Sequence, residues 1–229
     1  MSKKVIDLIN KIGDGAIQKI LNWADENKIP NLKWIEHDSY LKGGYFKGIP
    51  RDRDKLVKLT ELNLLGYQLD SLPKEICDLR DITKLYLSGN KLSKLPIEIG
   101  KLINLQELYI PGNHLTHLPK EISSLTNLEV LSIQENQIFE IPKEIGNLSN
   151  LTILEVGRNQ LTSLPKEIGK LTKLTRLTLW KNKLTKLPNE IVNLINLKEL
   201  DFLYNKLELS QQDVIWLEKL LENNCEVSI

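Results

Sequence analysis

Apolar residues recur along this chain with a fixed 23-residue period. In residues 128–150, LEVLSIQENQIFEIPKEIGNLSN, they occupy positions 1, 4, 6, 11, 14, 18 and 21 of the unit. Two further series keep the same period without an insertion or a deletion, asparagine at position 9 and proline at position 15. They are Asn90, Asn113, Asn136, Asn159, Asn182 and Asn205, and Pro73, Pro96, Pro119, Pro142, Pro165 and Pro188. A period of this length predicts an array of equivalent structural units.

Each unit is predicted to contain a short strand, a bend and a helical return. The opening L-x-x-L-x-L alternates as a strand does, whereas the later apolar spacings of three and four residues suit a turn of α- or 3₁₀-helix. A single unit buries too few side chains to offset the entropy of ordering its residues, so neighbours must stack. The predicted fold class is α/β, a curved solenoid with a parallel β-sheet on its concave face and short 3₁₀ or helical turns on its convex face.

The repeated asparagine and proline have structural interpretations. The asparagine amide can donate and accept hydrogen bonds where the chain turns inward and the backbone loses its ladder partners. Proline fixes φ at the next turn and lacks an N–H that would need a partner. Neither series is therefore interpreted as a set of ligands.

The repeated unit resembles the leucine-rich repeat family in its 23-residue form, L-x-x-L-x-L-x-x-N-x-L-x-x-L-P-x-x-I-x-x-L. The match runs from residue 59 to about residue 207, and residues 151–173, LTILEVGRNQLTSLPKEIGKLTK, follow the pattern throughout. The LPKEIGKL variant is similar to bacterial leucine-rich repeat proteins, including those of spirochaetes, and to the intracellular Ras-group repeats of plants. Tyr67 stands in place of the asparagine in the first clear unit. The resemblance implies a scaffold that binds protein partners on its concave face.

Three regions are predicted from the extent of the repeats. Residues 1–35 are expected to form an N-terminal helical cap, residues 36–209 the repeats, and residues 210–229 a C-terminal cap helix with an edge strand. The repeats are expected at residues 36–58, 59–81, 82–104, 105–127, 128–150, 151–173, 174–196 and, in part, 197–209.

The first unit, residues 36–58, is degenerate and is found by counting back from its neighbour. A step of one period places Phe46, Ile49 and Leu56 where the next unit has apolar residues of the core. Arg53 then replaces the isoleucine of LPKEI, and the other charges of this stretch become a solvated convex surface. We therefore expect a first repeat here in place of a phosphate-binding loop.

Both ends of a solenoid need caps because each would otherwise expose the core. Residues 3–27 are expected to form one helix, or two shorter helices broken at the GDG of residues 13–15, with one apolar stripe. At the other end, Ser210 is predicted to be the N-cap of a helix, with Asp213 as its capping-box partner. The apolar stripe contains Ile17, Ile20, Leu21 and Ala24. The residues expected to face the core at the C-terminal end are Val214, Trp216, Leu217, Leu220 and Leu221 in the helix and Cys225, Val227 and Ile229 in the edge strand.

Side chains at positions 2, 3, 5, 7 and 8 are expected to point outward from the concave sheet, where the sequence varies between units. Large aromatic side chains there have no role in the core, and Tyr, Trp and Arg are enriched among residues that dominate protein interfaces. We therefore expect partner binding on this face, the alternative being that these side chains only cover the strands. The expected partner-binding residues are Tyr86, Tyr109, Glu107, Glu155, Arg158, Arg176, Trp180, Asp201 and Tyr204.

Composition narrows the class of partner. Lys and Arg total 31 against 30 Asp and Glu, a net charge of +1, whereas nucleic-acid-binding domains carry a basic excess. The sequence shows no signal peptide and no run of about 18 apolar residues, so we expect a cytoplasmic monomer without a nucleic-acid or membrane partner. Export by another route, as a bacterial adhesin or effector that binds host proteins, is the alternative.

The sequence lacks the motifs of an enzyme. None of the phosphate-binding, nucleophile-elbow or zinc-protease patterns occurs, and the two cysteines, Cys77 and Cys225, are expected to be free thiols. His114 and His117 lie three residues apart at variable surface positions, with no third ligand in sequence reach. No catalytic residue, metal site or cofactor is therefore predicted.

Overall fold

The computed structural model describes residues 12–35 and 45–229. Between a helix near each end, the chain repeats a short strand and a 3₁₀ turn. In chain order the helices and strands are α1 (Asp14–Glu26), β1 (Lys33–Ile35), β2 (Tyr45–Lys47), α2 (Arg53–Val57), β3 (Glu61–Asn63), β4 (Lys84–Tyr86), β5 (Glu107–Tyr109), β6 (Val130–Ser132), β7 (Ile153–Glu155), β8 (Arg176–Thr178), β9 (Glu199–Asp201), α3 (Gln211–Glu222) and β10 (Glu226–Ser228). The 3₁₀ turns are Lys74–Asp78, Ile97–Lys101, Lys120–Ser124, Lys143–Asn147, Lys166–Lys170 and Asn189–Asn193.

Strands β3 to β9 form one parallel sheet in chain order. Their register is the same at every step, so the leucine at position 4 of one unit lies beside its counterpart in the next, as Leu108 lies beside Leu131. A parallel sheet needs a crossover between strands, and each 3₁₀ turn on the opposite side of the unit supplies one. The predicted α/β solenoid is confirmed.

A proline stands immediately before each 3₁₀ turn. Pro142 has a φ of −63°, and its carbonyl accepts a hydrogen bond from the Ile145 N–H over 2.9 Å, which closes the turn. Because the proline ring holds φ near this value, the turn is preorganised in the sequence. The structural interpretation of the proline series is confirmed.

The core lies between the sheet and the 3₁₀ turns and runs through all the regular units. In the unit of residues 128–150, Leu131, Ile133, Ile138 and Ile145 are fully buried. Each packs against its equivalents in the adjacent units, so no unit has a core of its own. Stability is therefore shared between neighbours.

Each asparagine at position 9 joins its own unit to the one before it. Asn136 Oδ1 accepts from the Leu115 N–H over 2.9 Å, and its Nδ2 donates to the carbonyls of Ile110 and Ile133 over 3.0 and 3.1 Å. The other asparagines of the series, from Asn90 to Asn205, make the same contacts. These are buried backbone groups that the sheet leaves without a partner, so the structural interpretation of this residue is confirmed.

Helix α1 covers the N-terminal end of the core. It begins after Gly13, whose φ of 71° is not helical, so no helix continues through the GDG of residues 13–15. Ile17, Ile20 and Ala24 are buried as predicted, and Lys19 forms an ion pair with Glu75 over 3.1 Å. The part of the predicted helix before residue 12 lies outside the described residues.

The segment predicted as a first repeat departs from the regular units where it is described, from residue 45 onward. Strand β2 pairs antiparallel with β1, whereas the corresponding segment of the next unit is a loop. Phe46 is consequently 50% exposed, so its predicted burial is wrong, while Ile49 and Leu56 are buried as expected. Arg53 is exposed in helix α2 and pairs with Asp14 of the cap. The strand expected in this unit falls within residues 36–44, outside the described residues.

Helix α3 covers the C-terminal end through one face. The Ser210 hydroxyl accepts from the Asp213 N–H over 3.2 Å and the Asp213 carboxylate accepts from the Ser210 N–H over 2.8 Å, which confirms the predicted capping box. Trp216, Leu217 and Leu220 are buried. The predicted inward positions of two other residues are wrong, because they lie on the flanks of the helix: Val214 is 43% exposed and Leu221 is 55% exposed.

Strand β10 adds to the sheet beside β9, in parallel. Cys225 is buried and Val227 is half-buried against the core, as predicted. Ile229 is 69% exposed because the strand ends at Ser228 and the last residue passes beyond the sheet. Its predicted inward position is wrong.

Candidate binding face

The sheet presents a concave face, which we define as positions 2, 3, 5, 7 and 8 of each unit. Successive side chains of a strand point to opposite sides, so the buried leucine at position 4 directs positions 3 and 5 outward. All the residues predicted for partner binding occupy positions 3, 5, 7 or 8. The structure separates them into a tyrosine pair, a tryptophan cluster and a row of ion pairs, with Asp201 and Tyr204 in the last unit.

Tyr86 and Tyr109 stack on one another at position 5 of adjacent units. Their ring centroids are 5.1 Å apart and the planes differ by 3°. Burial, and then the carboxylates of Glu107 and Glu155, raise the pKa of Tyr109 to about 12, and burial followed by Glu107 raises the pKa of Tyr86. Glu107 is held by Lys84 over 2.7 Å. The phenols are therefore protonated at neutral pH.

A groove of about 620 Å³ runs beside the tyrosine pair, across five units from Leu65 to Glu155. Gly66, Gly89 and Gly112 occupy position 8 along it. They have φ between 64° and 72°, in the left-handed region, where glycine carries no steric cost. Because these residues have no side chains, one side of the groove is bare backbone.

Trp180 lies flat on the backbone of the preceding unit. A Cβ atom at Gly157 would come within 2.2 Å of Trp180 Nε1, so the absence of a side chain at Gly157 makes room for the ring. Trp180 Nε1 donates to Gln134 Oε1 over 3.2 Å, and the guanidinium of Arg158 lies 5.6 Å from the ring centroid. Sequence reasoning missed Gln134 and Gly157 as parts of this cluster. A glycine one unit before a tryptophan at the same position was the available signal.

Charged side chains at positions 3 and 5 form a row across β7, β8 and β9. Arg176 donates from Nε to Glu199 Oε2 over 2.5 Å and lies 3.8 Å from Glu155 Oε1 through Nη1. Glu199 was not among the predicted residues, although its carboxylate holds the arginine in place. These groups set the electrostatic character of the C-terminal half of the face.

The last unit contributes two predicted residues of different character. The Asp201 carboxylate accepts from the Leu203 N–H over 3.0 Å, so it supports the local turn. Tyr204 is 76% exposed. Tyr204 is therefore available to a partner, while Asp201 already has an intramolecular role.

Position 8 changes character along the solenoid. The three glycines near the groove are followed by Glu135, Arg158, Lys181 and Tyr204, which keep the left-handed conformation with φ between 53° and 59°. A residue with a side chain is strained there, and such strain is concentrated at functional positions. The strained residues all present their side chains to the concave face.

Replacing Lys181 with glycine is expected to raise the free energy of unfolding by about 0.5 to 1 kcal/mol, because it relieves the left-handed strain. Lys183→Gly is the matched control, since Lys183 is exposed and does not have a positive φ. We expect the control to be destabilised, because glycine there adds only unfolded-state entropy. Urea denaturation of both variants measures the difference, and equal shifts in the two would show that position 8 is not strained.

The reactive groups of the chain are placed unfavourably for covalent chemistry. Cys77 and Cys225 are free and buried. Burial, with the carboxylates of Glu98 and Asp78, raises the pKa of Cys77 to about 12, and burial raises the pKa of Cys225. The nucleophilic thiolate forms are therefore disfavoured at both sites.

Within residues 12–35 and 45–229, no three His, Cys, Asp or Glu side chains are grouped so that they could hold a metal ion. None of the helices in the same ranges has the length and apolar character needed to cross a membrane.

Two overlapping segments of the sequence, residues 51–137 and 130–222, match the leucine-rich repeat region family. The chain therefore belongs to the leucine-rich repeat family, whose members are generally non-enzymatic scaffolds for protein interaction. A comparison with curated proteins gives no match.

Solved structures of leucine-rich repeat proteins have the same fold. The leucine-rich repeat protein LIC12759 of Leptospira interrogans is 40% identical, with a TM-score of 0.70 over 76% of this chain and 43% of its own. The plant peptide hormone receptor RGFR1, in complex with RGF2, is 35% identical, with a TM-score of 0.60 over 67% of this chain and 26% of its own. A TDR receptor is 32% identical, with a TM-score of 0.63 over 69% and 29% of the two chains. The chain thus spans less than half the length of each of these proteins.

Proposed function

We propose that the protein is a non-enzymatic interaction module that binds a protein or peptide on its concave face. The observation that carries the proposal is the groove lined by the stacked tyrosines, where half-buried aromatic side chains stand at the surface of the sheet. Tyrosine and tryptophan are enriched among the residues that dominate interface energies, and a preorganised surface lowers the entropy cost of binding. The Trp180 cluster extends this surface toward the C-terminal units.

The comparisons support the kind of partner. RGFR1 is a peptide hormone receptor of the same family, and its structure contains RGF2. We further propose that the protein acts in the cytoplasm as a monomer without nucleic-acid or membrane partners; the near-neutral net charge supports the part of this proposal that concerns nucleic acid.

The proposal is tested by capturing partners from the source organism with the immobilised protein and measuring their affinity. We expect the combined substitution Tyr109→Ala and Trp180→Ala to weaken binding of the captured partner roughly thirtyfold, since both remove half-buried aromatic side chains that contribute surface to the concave face. The matched control is Phe139→Ala with Ile103→Ala, which removes two exposed apolar side chains outside the concave face. Unchanged capture by the Tyr109/Trp180 variant, with its fold intact by circular dichroism, would contradict the assignment of the face.

A further inference from the structure

The groove on the concave face carries charge of one sign. Of the twelve described residues that line it, two are charged, and both of these, Glu135 and Glu155, are acidic. Tyr86 and Tyr109 contribute aromatic surface to the same groove. Negative charge combined with partly exposed aromatic rings favours a cationic occupant.

The column of residues at position 5 passes from aromatic to acidic over one small residue. In successive units it reads Tyr86, Tyr109, Ser132 and Glu155, in parallel register. The two rings stack 5.1 Å apart, and two strand spacings of about 4.8 Å separate the backbone of Tyr109 from that of Glu155. Ser132 itself is only 3% exposed, so neighbouring side chains already close over it. A cationic group can therefore lie at the surface of the groove, against the Tyr109 ring and beside the Glu155 carboxylate, but not on Ser132.

Both carboxylates keep the capacity to bind a cation, although each lies near an arginine. Arg176 Nη1 is 3.8 Å from Glu155 Oε1, and Arg158 Nη1 is 3.5 Å from Glu135 Oε1. Charge-assisted hydrogen bonds are shorter, about 2.8 Å, so neither pair is closely engaged. Arg176 makes its short contact with Glu199 instead, over 2.5 Å. The acidic groups of the groove can therefore accept hydrogen bonds from a ligand.

We infer that the groove binds an extended peptide through an arginine or lysine side chain, whose cationic group lies against the Tyr109 ring and pairs with Glu155. The inference rests on the proposed function and adds the chemistry of the partner. A guanidinium fits best, since it is planar and can stack on a ring while it donates to a carboxylate.

The length of the groove agrees with a short peptide segment. It crosses five units, from Leu65 to Glu155, and the four strand spacings between them amount to about 19 Å. An extended chain advances about 3.3 Å per residue, so about six residues fill the groove. One basic side chain within such a segment is enough to contact both Tyr109 and Glu155.

The first experiment selects random heptapeptides displayed on phage, in parallel, on the wild-type protein, on Glu135→Gln with Glu155→Gln, and on Glu140→Gln. Glu140 is exposed and outside the groove, so the third protein controls for the loss of a carboxylate elsewhere in the same unit. We expect Arg and Lys to be enriched at one peptide position on the wild type and on the control. That enrichment should disappear on the double variant, because its groove has no negative charge.

The second experiment measures the best selected peptide by isothermal titration calorimetry. Replacing its arginine with citrulline keeps the planar shape and removes the charge, and we expect binding to weaken roughly tenfold. Ser132→Tyr places a third ring between Tyr109 and Glu155, and we expect it to weaken binding of the same peptide at least as much. Ser124→Tyr, at an exposed position on the convex side, is the control for adding a tyrosine and should leave the affinity unchanged.

The outcomes separate the inference from the proposed function. Selected peptides that need Tyr86 and Tyr109 but have a neutral or acidic consensus would overturn the inference and leave the proposed function standing. If every selected peptide binds the double variant Tyr86→Ala/Tyr109→Ala as tightly as it binds the wild type, the proposed binding face is wrong. The inference is then wrong as well.

Discussion

Asn136→Ala is expected to lower the free energy of unfolding by about 3 kcal/mol, because the side chain makes three hydrogen bonds to buried backbone groups and each contributes roughly 1 kcal/mol net. The Leu115 N–H would lose its partner, whereas the carbonyls of Ile110 and Ile133 would each keep one bond from a neighbouring asparagine of the series. Water cannot replace it easily, since the asparagine is 7% exposed. The substitution thus acts on the contact between two adjacent units.

The measurement is urea denaturation followed by circular dichroism. Asn127→Ala is the matched control, since Asn127 makes one exposed hydrogen bond, to the Ile103 carbonyl over 2.8 Å. It is expected to change the unfolding free energy by less than about 0.5 kcal/mol. If both variants unfold at the same urea concentration, the asparagine at position 9 does not hold the units together.

Gly169→Val is expected to destabilise the protein by about 3 kcal/mol, because it places a side chain in a space that the next unit occupies. A Cβ atom at Gly169 would lie 2.3 Å from the Glu190 carbonyl oxygen and 2.7 Å from the Glu190 Cβ. The backbone cannot move away as a flexible side chain could, so two neighbouring 3₁₀ turns must separate. The milder Gly169→Ala should show a smaller shift in the same direction.

Gly15→Val is the control for the same change in residue type. Gly15 lies in α1, and no atom is found within 4 Å of the Cβ position there. Its unfolding midpoint is expected to stay close to that of the wild type, since valine has a slightly better helix propensity than glycine. A Gly169 variant as stable as this control would mean that the spacing of the 3₁₀ turns adjusts freely.

The regular part of the fold could be predicted from the sequence because one period specifies both strand pairing and burial. Once Leu108 and Leu131 are known to be equivalent, their neighbours in the sheet follow by steps of one period. The asparagine at position 9 could likewise be assigned a backbone role from its place after the strand. The repeat therefore allows contacts between residues far apart in the sequence to be predicted, which a sequence without repeats does not allow.

The ends were harder to predict because the period no longer applies there. Counting back by one period placed Phe46 in the core, whereas antiparallel pairing with β1 exposes it. In α3, an apolar composition at Val214 and Leu221 suggested burial, but one face of a helix can meet the last unit and both residues flank it. Local pattern does not determine which neighbour an end segment meets.

The candidate binding face could also be predicted only in part from the sequence. The period indicated which columns face outward, so the aromatic residues at positions 5 and 7 could be selected from sequence. It could not indicate that Trp180 would lie over Gly157 and bond to Gln134, because that contact depends on rotamers and on the shape of two preceding units. Side-chain contacts across units have no fixed period.

The glycines and the strained residues at position 8 give the concave face two unlike ends. A partner that enters beside Gly66 passes along open backbone, whereas near Lys181 and Tyr204 it meets long side chains. If the partner ran in the opposite direction, the end that lay beside the glycines would lie beside the long side chains instead. The backbone of the sheet is the same in every unit and does not by itself distinguish the two directions. Under the proposed function, a bound chain would therefore meet different surroundings in its two possible directions, and one direction would be favoured.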